Sequence, residues 1–313
     1  MSEKSQVIKA AGVVGAATLL SRTLGYIRDA VIAWYFGAGL NSDAFIAAFR
    51  IPNLLRKLLG EGSISNAFVP VLTDYLAKDG KDEALGLARS ALWVMSIILV
   101  IVSICGIILS PLIVKIIAPG FIDSPGKISL TIVLTRIMFP YIFFIGLVAL
   151  CMGILNVFGH FATPALAPVL LNLAMILSVF FLCPHFSQPV LGLAVGVMIG
   201  GVLQLVFQLP AMVKKGFLLR QKTTILHPGL KKIGQLMLPV IFGGAVYQIN
   251  TLVDQLLGSL LKEGSITYLY FADRLVQFPL GIFAIAAATA VLPSLSRQAA
   301  TNDVDALKDT FSY

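Results

Sequence analysis

The chain has 313 residues, of which 58% are hydrophobic and only 12% charged, and its mean hydropathy is +0.92. Soluble domains carry roughly 25% charged residues, so this chain has too little polar surface to face water on all sides, and lipid must solvate much of it. The net charge of +8 has no soluble basic domain to place it on, which argues against nucleic acid as a partner. Cys105, Cys151 and Cys183 stand alone in apolar segments without a CxxC or Cys/His cluster, and so support neither a disulfide framework nor a zinc site.

The N-terminal apolar stretch lacks the short hydrophobic region and small-residue cleavage site of a signal peptide and runs on into arginines. Spanning helices are predicted near residues 8–36 and 43–74, parted by Gly37-Ala38-Gly39. A third is expected near 87–118, since Ser90 to Val114 contains no Asp, Glu, Lys or Arg. Ile137 to Val213 is equally free of charge. At about 20 apolar residues per crossing, it accommodates spans near 127–157, 161–184 and 188–213. Two more are predicted near 232–259 and 265–297. The fold class is therefore an all-α polytopic membrane protein of about eight transmembrane helices. Six form an N-terminal lobe (1–215), a basic loop follows (216–231), and two begin a second lobe (232–313).

Positive residues set the orientation. With the N-terminus in the cytoplasm, one side collects Lys4, Lys9, Lys78, Lys81, Arg89, Lys214, Lys215, Arg220, Lys222, Lys231, Lys232, Arg297 and Lys308. Lys115, Lys127 and Lys262 fall on the other side. Within the basic loop, FLLRQKTTIL fits either a short amphipathic surface helix or a plain loop.

Several charges lie inside the spans: Arg22, Arg28 and Asp29 in the first, and Arg50, Arg56, Lys57 and Glu61 in the second, which Asp43 opens. Arg136, Asp254, Asp273 and Arg274 follow in later spans. An ionised side chain at mid-bilayer costs at least about 2.5–3.5 kcal/mol, so these groups must face water or each other. On an α-helix Arg22 and Asp29 share a stripe and Arg28 points about 120° away from it. Arg50, Asn53, Lys57 and Glu61 share another stripe, with Lys57 and Glu61 in i,i+4 register, while Arg56 points elsewhere. The reading is a water-filled cavity with an excess of positive charge. Guanidinium groups suit phosphate and carboxylate because their planar fork donates paired hydrogen bonds, so the cargo is a large anion. Pro52, Gly60, Gly62, Pro70, Pro140, Pro239, Pro279 and Pro293 supply the breaks that moving transporter helices use. A faint repeat links Arg50 and Pro70 with Arg274 and Pro293, consistent with two homologous lobes.

The segment LLSRTLGYIRDAVIAWYFGAGLNSDAFIAAFRIPNLLRKLLGEGSISNAFVPVL, with GGVLQLVFQLP and YFADRLVQFPLGIFAIAAATAVLPSLS, resembles the characteristic stretches of the MurJ (MviN) family. The resemblance implies a two-lobed helical fold of the multidrug/oligosaccharidyl-lipid/polysaccharide exporter superfamily in the bacterial cytoplasmic membrane. It implies flipping of lipid II, the undecaprenyl-diphosphate-linked disaccharide-pentapeptide, from the inner to the outer leaflet. Arg22, Arg28, Arg56 and Arg274 match the family's cavity arginines and are the expected substrate-binding residues. Asp29, Asp43, Arg50, Lys57, Glu61 and Asp273 are expected to gate the cavity or pair within it. Some members bind sodium, which makes Asp254 a candidate sodium ligand; no other cofactor is expected. Gln277 stands where some relatives carry Glu. Membrane lipids and other cell-wall synthesis proteins are the implied partners. Members of the family are longer than this chain, which reads as a fragment ending in its second lobe. The competing readings are an exporter of another anionic polysaccharide-lipid or drug on the same fold, and a non-transporting cell-wall scaffold. An enzyme is not indicated, because no nucleophile–base set or Gly-rich phosphate loop is present.

Overall fold

The structure, a computed structural model, describes residues 3–217 and 226–277. Among them the ordered elements are helices, as a chain in lipid requires when every backbone group must be satisfied internally. They are α1 (Glu3–Phe36), α2 (Leu40–Arg56), a π-helical segment (Lys57–Phe68), α3 (Val69–Lys78), α4 (Lys81–Ile117), α5 (Pro125–Met138), α6 (Tyr141–Val157), α7 (Ala162–Phe181), α8 (Pro189–Lys214) and α9 (Gly229–Ser259). Residues 265–277 are also helical. Among the described residues five stretches are long and apolar enough to cross a bilayer: Lys81–Ile117, Pro125–Val157, Ala162–Phe181, Pro189–Lys214 and Gly229–Ser259.

Two predicted spans differ in detail. The helix expected near 43–74 runs from Leu40 to Lys78, and its middle widens into π turns. A π turn closes i→i+5 bonds, so side chains beyond Lys57 leave the stripe calculated for an α-helix. The side chain of Glu61, the expected partner of Lys57, lies outside the described residues. The helix expected near 127–157 is two helices, because Pro140 has no N–H to continue the ladder and the chain turns at Phe139–Pro140. The ring of Phe139 fills the space at Gly106, where an added Cβ would lie 1.8 Å from it. The FLLRQKTTIL loop, apart from its ends, and the half of the eighth span that holds Pro279 and Pro293 lie outside the described residues.

α4 sets the position of the bilayer. Its lipid-facing residues run from Ile97 and Ile98 through Ile101, Ile104, Ile108 and Leu112 to Ile116, about 29 Å at 1.5 Å per residue. That length matches a hydrocarbon core of about 30 Å. The earlier turns of α4, from Lys81 to Leu92, therefore stand outside it, with α3, the end of α8 and the start of α9. This hairpin end has its own apolar core of Leu72, Leu85, Leu87, Ala88, Met212, Phe217 and Ile233. Gly80, at φ 88°, closes the α3–α4 turn in a conformation that costs a residue with a Cβ. Because this core is made against water, Leu87→Ala, at a side chain with no exposed surface, should destabilise the protein by about 2–5 kcal/mol. Thermal unfolding in nanodiscs reads the loss.

At the opposite end, Trp34 lies 6.4 Å from Phe180 between ring centroids. Both are exposed, as interfacial aromatic belts are. The chain divides into two compact units, residues up to Thr267 and residues from Tyr268 onward.

Candidate functional site

In the first unit the intramembrane charges gather at two places. The first is a polar cluster between α1, α2, α6, α7 and α8. The guanidinium of Arg28 donates through Nε (2.9 Å) and Nη2 (2.6 Å) to Oδ1 of Asp29, with both residues buried. Its Nη1 donates to Oδ1 of Asn172 on α7 at 2.9 Å. Asn172 in turn donates to the backbone carbonyl of Ser21 at 3.0 Å. Arg56 donates to Asn53 at 3.0 Å. The charges of Arg56 and Arg28 both act on the fully buried hydroxyl of Tyr141, which itself lies 3.5 Å from Gln204 on α8. The structure thus brings Arg28 and Arg56 to one region.

Asp29 takes Arg28 as its partner rather than Arg22, the stripe-mate that helical spacing suggested. Long side chains curl across the 100° between neighbours when burial leaves no water to serve them. Arg22 is exposed, with no hydrogen bond or ion pair among the described residues. Arg50 donates to Gln255 on α9 at 2.6 Å, and Gln255 donates to the carbonyl of Ala47 at 3.4 Å. Lys57 is half-buried at the start of the π segment.

The second place is the end of the bundle where α2 begins and α9 ends. Asp43 is almost fully buried and its carboxylate accepts four hydrogen bonds. Lys127 (2.7 Å) and the backbone N–H of Gly264 (2.8 Å) reach Oδ2, while the N–H (3.0 Å) and hydroxyl (2.6 Å) of Thr267 reach Oδ1. Asp43 is therefore an N-cap, supplied from α2, for the helix that starts at 265. The reverse contact exists too: Glu263 accepts the N–H of Leu40 at 3.0 Å, at the first turn of α2. Lys127 also sits 4.3 Å above the Phe121 ring. Gly120 donates to the Ser259 hydroxyl at 3.2 Å, so closely packed that an added Cβ would lie 2.0 Å from the Ser259 carbonyl oxygen.

In the second unit Arg274 donates to the hydroxyl of Tyr270, four residues earlier, through Nε (3.4 Å) and Nη2 (3.3 Å). Asp273 accepts from Gln277 at 2.6 Å. The neighbours Asp273 and Arg274 thus turn to different partners.

Asp254 is exposed on α9 and does not bond Gln255, which is engaged by Arg50 and Ala47. Among the described residues no group of three or more His, Cys, Asp or Glu side chains comes together. They do not assemble an acidic cage for sodium at Asp254. At the hairpin end His227 lies 3.0 Å from Glu83 through Nε2 and accepts the N–H of Gly229 at Nδ1. His160, in the α6–α7 loop, has its pKa lowered by burial, with the Lys215 and Lys214 charges adding to the effect.

Sequence reasoning missed Lys127, Asn172, Tyr141, Gln255, Glu263 and Thr267. One signal was available for Asn172 and Gln204: they are polar residues in the long charge-free run, and such residues in lipid need a partner.

A family model described as "Lipid II flippase MurJ" matches residues 32–313. A probable lipid II flippase MurJ of Vibrio cholerae is 44% identical over 98% of this chain. A lipid II flippase MurJ of Burkholderia cenocepacia is 40% identical over 91% of it. The chain spans 59% and 56% of the length of these relatives, respectively. A solved structure described as lipid II flippase MurJ in an inward closed conformation superposes with a TM-score of 0.79 at 31% identity, covering 95% of this chain and 62% of that one. An inward-facing multidrug-resistance transporter of the MATE family shares the fold at a TM-score of 0.71 and 19% identity, covering 93% of this chain and 66% of that one. Together with the apolar spans, which mark a multi-pass membrane protein, these matches show that the chain belongs to the lipid II flippase MurJ family.

Proposed function

We propose that the protein carries lipid II across the cytoplasmic membrane, from the inner to the outer leaflet, by alternating access. The observation that carries the reading is the 44% identity to a probable lipid II flippase over 98% of the chain. The arginines support it chemically. Arg28 and Arg56 sit near one point within the helix bundle, and their forks suit the diphosphate and peptide carboxylates. Arg22, on the exposed side of α1, would extend the cationic path, and Arg274 is a further candidate for contact with the anion. The N-terminus is cytoplasmic on the positive-inside count, so the hairpin end lies in the cytoplasm and the Asp43 cluster faces outward.

In this reading the Asp43–Lys127–Gly264–Thr267 contacts are the outer gate. They hold the exit shut while the cavity takes its cargo from the inner leaflet. Arg50 and Gln255 tie α2 to α9 behind the gate. The lipid tail stays in the bilayer throughout, since burying its apolar chain in a wet cavity would forfeit its solvation by lipid. The lobes are residues 1–215 and 232–313, joined by the basic loop.

The test is transfer of labelled lipid II between leaflets of proteoliposomes by the natural full chain. Wild type is expected to transfer it and Arg56→Glu to lower the rate at least about 100-fold, because a charge of the wrong sign then faces the diphosphate. No transfer by a well-folded wild type under an imposed potential and sodium gradient would sink the flippase reading in favour of an exporter of another cargo or a scaffold.

A further inference from the structure

Among the partners of Arg28 are two of different kinds, Asn172 and Asp29. Asn172 is uncharged, 5% exposed and tied to α1 by its own bond to Ser21. It holds Nη1 without competing for charge. Asp29 is charged, and one of its oxygens takes both Nε and Nη2, the edge that a phosphate or carboxylate grips when it meets an arginine. The two residues are also neighbours in sequence. Adjacent side chains on a helix do not face each other, so this pair forms only because both side chains curl together. An i,i+4 partner would be built into the helix; this one is a contact of convenience. Burial supplies the reason for it, since an arginine whose side chain is 9% exposed is costly with no counter-charge beside it.

We propose that Asp29 is an internal stand-in for the substrate anion, and that Asn172 is the positioning residue that keeps Arg28 aimed while it exchanges one for the other. With the cavity empty, the edge of Arg28 belongs to Asp29. When a diphosphate or carboxylate arrives, the edge passes to it, and Asn172 keeps the guanidinium plane from turning away. On release Asp29 takes the edge back, so the arginine never stands uncompensated and the product is displaced rather than merely let go. Asp29 thus weakens binding and quickens release. This inference rests on the reading that Arg28 meets an anionic cargo.

The experiment measures equilibrium binding and leaflet transfer of labelled lipid II by the natural full chain in nanodiscs and proteoliposomes. Wild type, Asp29→Asn and Asn172→Asp are compared. Asp29→Asn keeps the shape and removes the competing charge; it should bind the probe at least about 5-fold more tightly and transfer it more slowly. Asn172→Asp adds a second competitor and should weaken binding about 10-fold. A role for Asp29 that is only structural would weaken binding or leave it alone. Equal or weaker binding by a folded Asp29→Asn protein overturns the proposal while leaving the flippase reading intact. If Asp29→Asn does not fold, unchanged binding by Asn172→Asp overturns it instead. Wild type that neither binds nor transfers the probe removes the function reading, and this proposal with it.

Discussion

Asp43→Ala is expected to destabilise the protein by about 3–5 kcal/mol, the usual cost of removing one partner from a buried ion pair. The side chain of Lys127 is 7% exposed, so without the carboxylate its ammonium would be stranded away from water. The N–H groups of Gly264 and Thr267 would lose their acceptor as well, and unmet buried donors cost about 1–3 kcal/mol each. These terms overlap and do not simply add. Thermal unfolding in nanodiscs measures the loss. The pairing is separated from the capping by a cycle with Lys127→Met and the double variant. Lys127→Met in the Asp43→Ala background should restore part of the stability, because it removes the stranded charge. A melting temperature for Asp43→Ala close to wild type would show that Lys127 finds water when Asp43 is absent, and that the cluster is not the buried lock described above.

Gly120→Ala should act on the same end of the bundle by a different route. The added Cβ would lie 2.0 Å from the Ser259 carbonyl oxygen and 2.9 Å from the Leu260 Cα. These are backbone atoms, which cannot rotate aside, so the 119–121 turn and the end of α9 must part. Overpacking of this kind costs about 1–3 kcal/mol. The expected result is faster hydrogen exchange at the Gly264 and Thr267 amides, which Asp43 protects, together with a lower melting temperature. Gly126→Ala is the control, since nothing lies within 4 Å of its Cβ position. Equal exchange rates in the two variants would mean that the contact at Gly120 does not hold the α9 end in place.

The sequence was most readable where one effect dominates. α4 is apolar from Leu92 to Ile113, and nothing but a helix satisfies that backbone in lipid; its predicted span of 87–118 ends one residue past the observed Lys81–Ile117 and starts six residues late. The extra turns at its start were obscured because Lys81, Asp82 and Arg89 look like loop residues, whereas they belong to the helix, Lys81 and Asp82 on its exposed side and Arg89 buried in the hairpin end. α2 and α3 were readable as one rod but not in side-chain register, since the π turns of Lys57–Phe68 between them shift it. Of the candidate site, the arginines were identifiable because charge inside a span always demands an explanation. Their partners were not. Asp43 sat in plain view, but Lys127, Gly264 and Thr267 meet it only through the tertiary fold. Arg28 and Asp29 were assigned to different stripes by a rule that gives directions at Cβ and ignores the reach of a long side chain.

The contacts between α2 and the 263–267 segment are reciprocal, each element supplying a carboxylate to the other's first turn. Glu263 and Gly264 are adjacent, and Thr267 lies one turn beyond them, so no one of these bonds can lengthen far without dragging the rest. The assembly is consequently all-or-none. Small thermal displacements are resisted by every bond at once, and half-open geometries satisfy neither carboxylate and neither helix end. In the proposed gate this reciprocity would resist partial opening, even though each hydrogen bond taken singly contributes only about 1 kcal/mol.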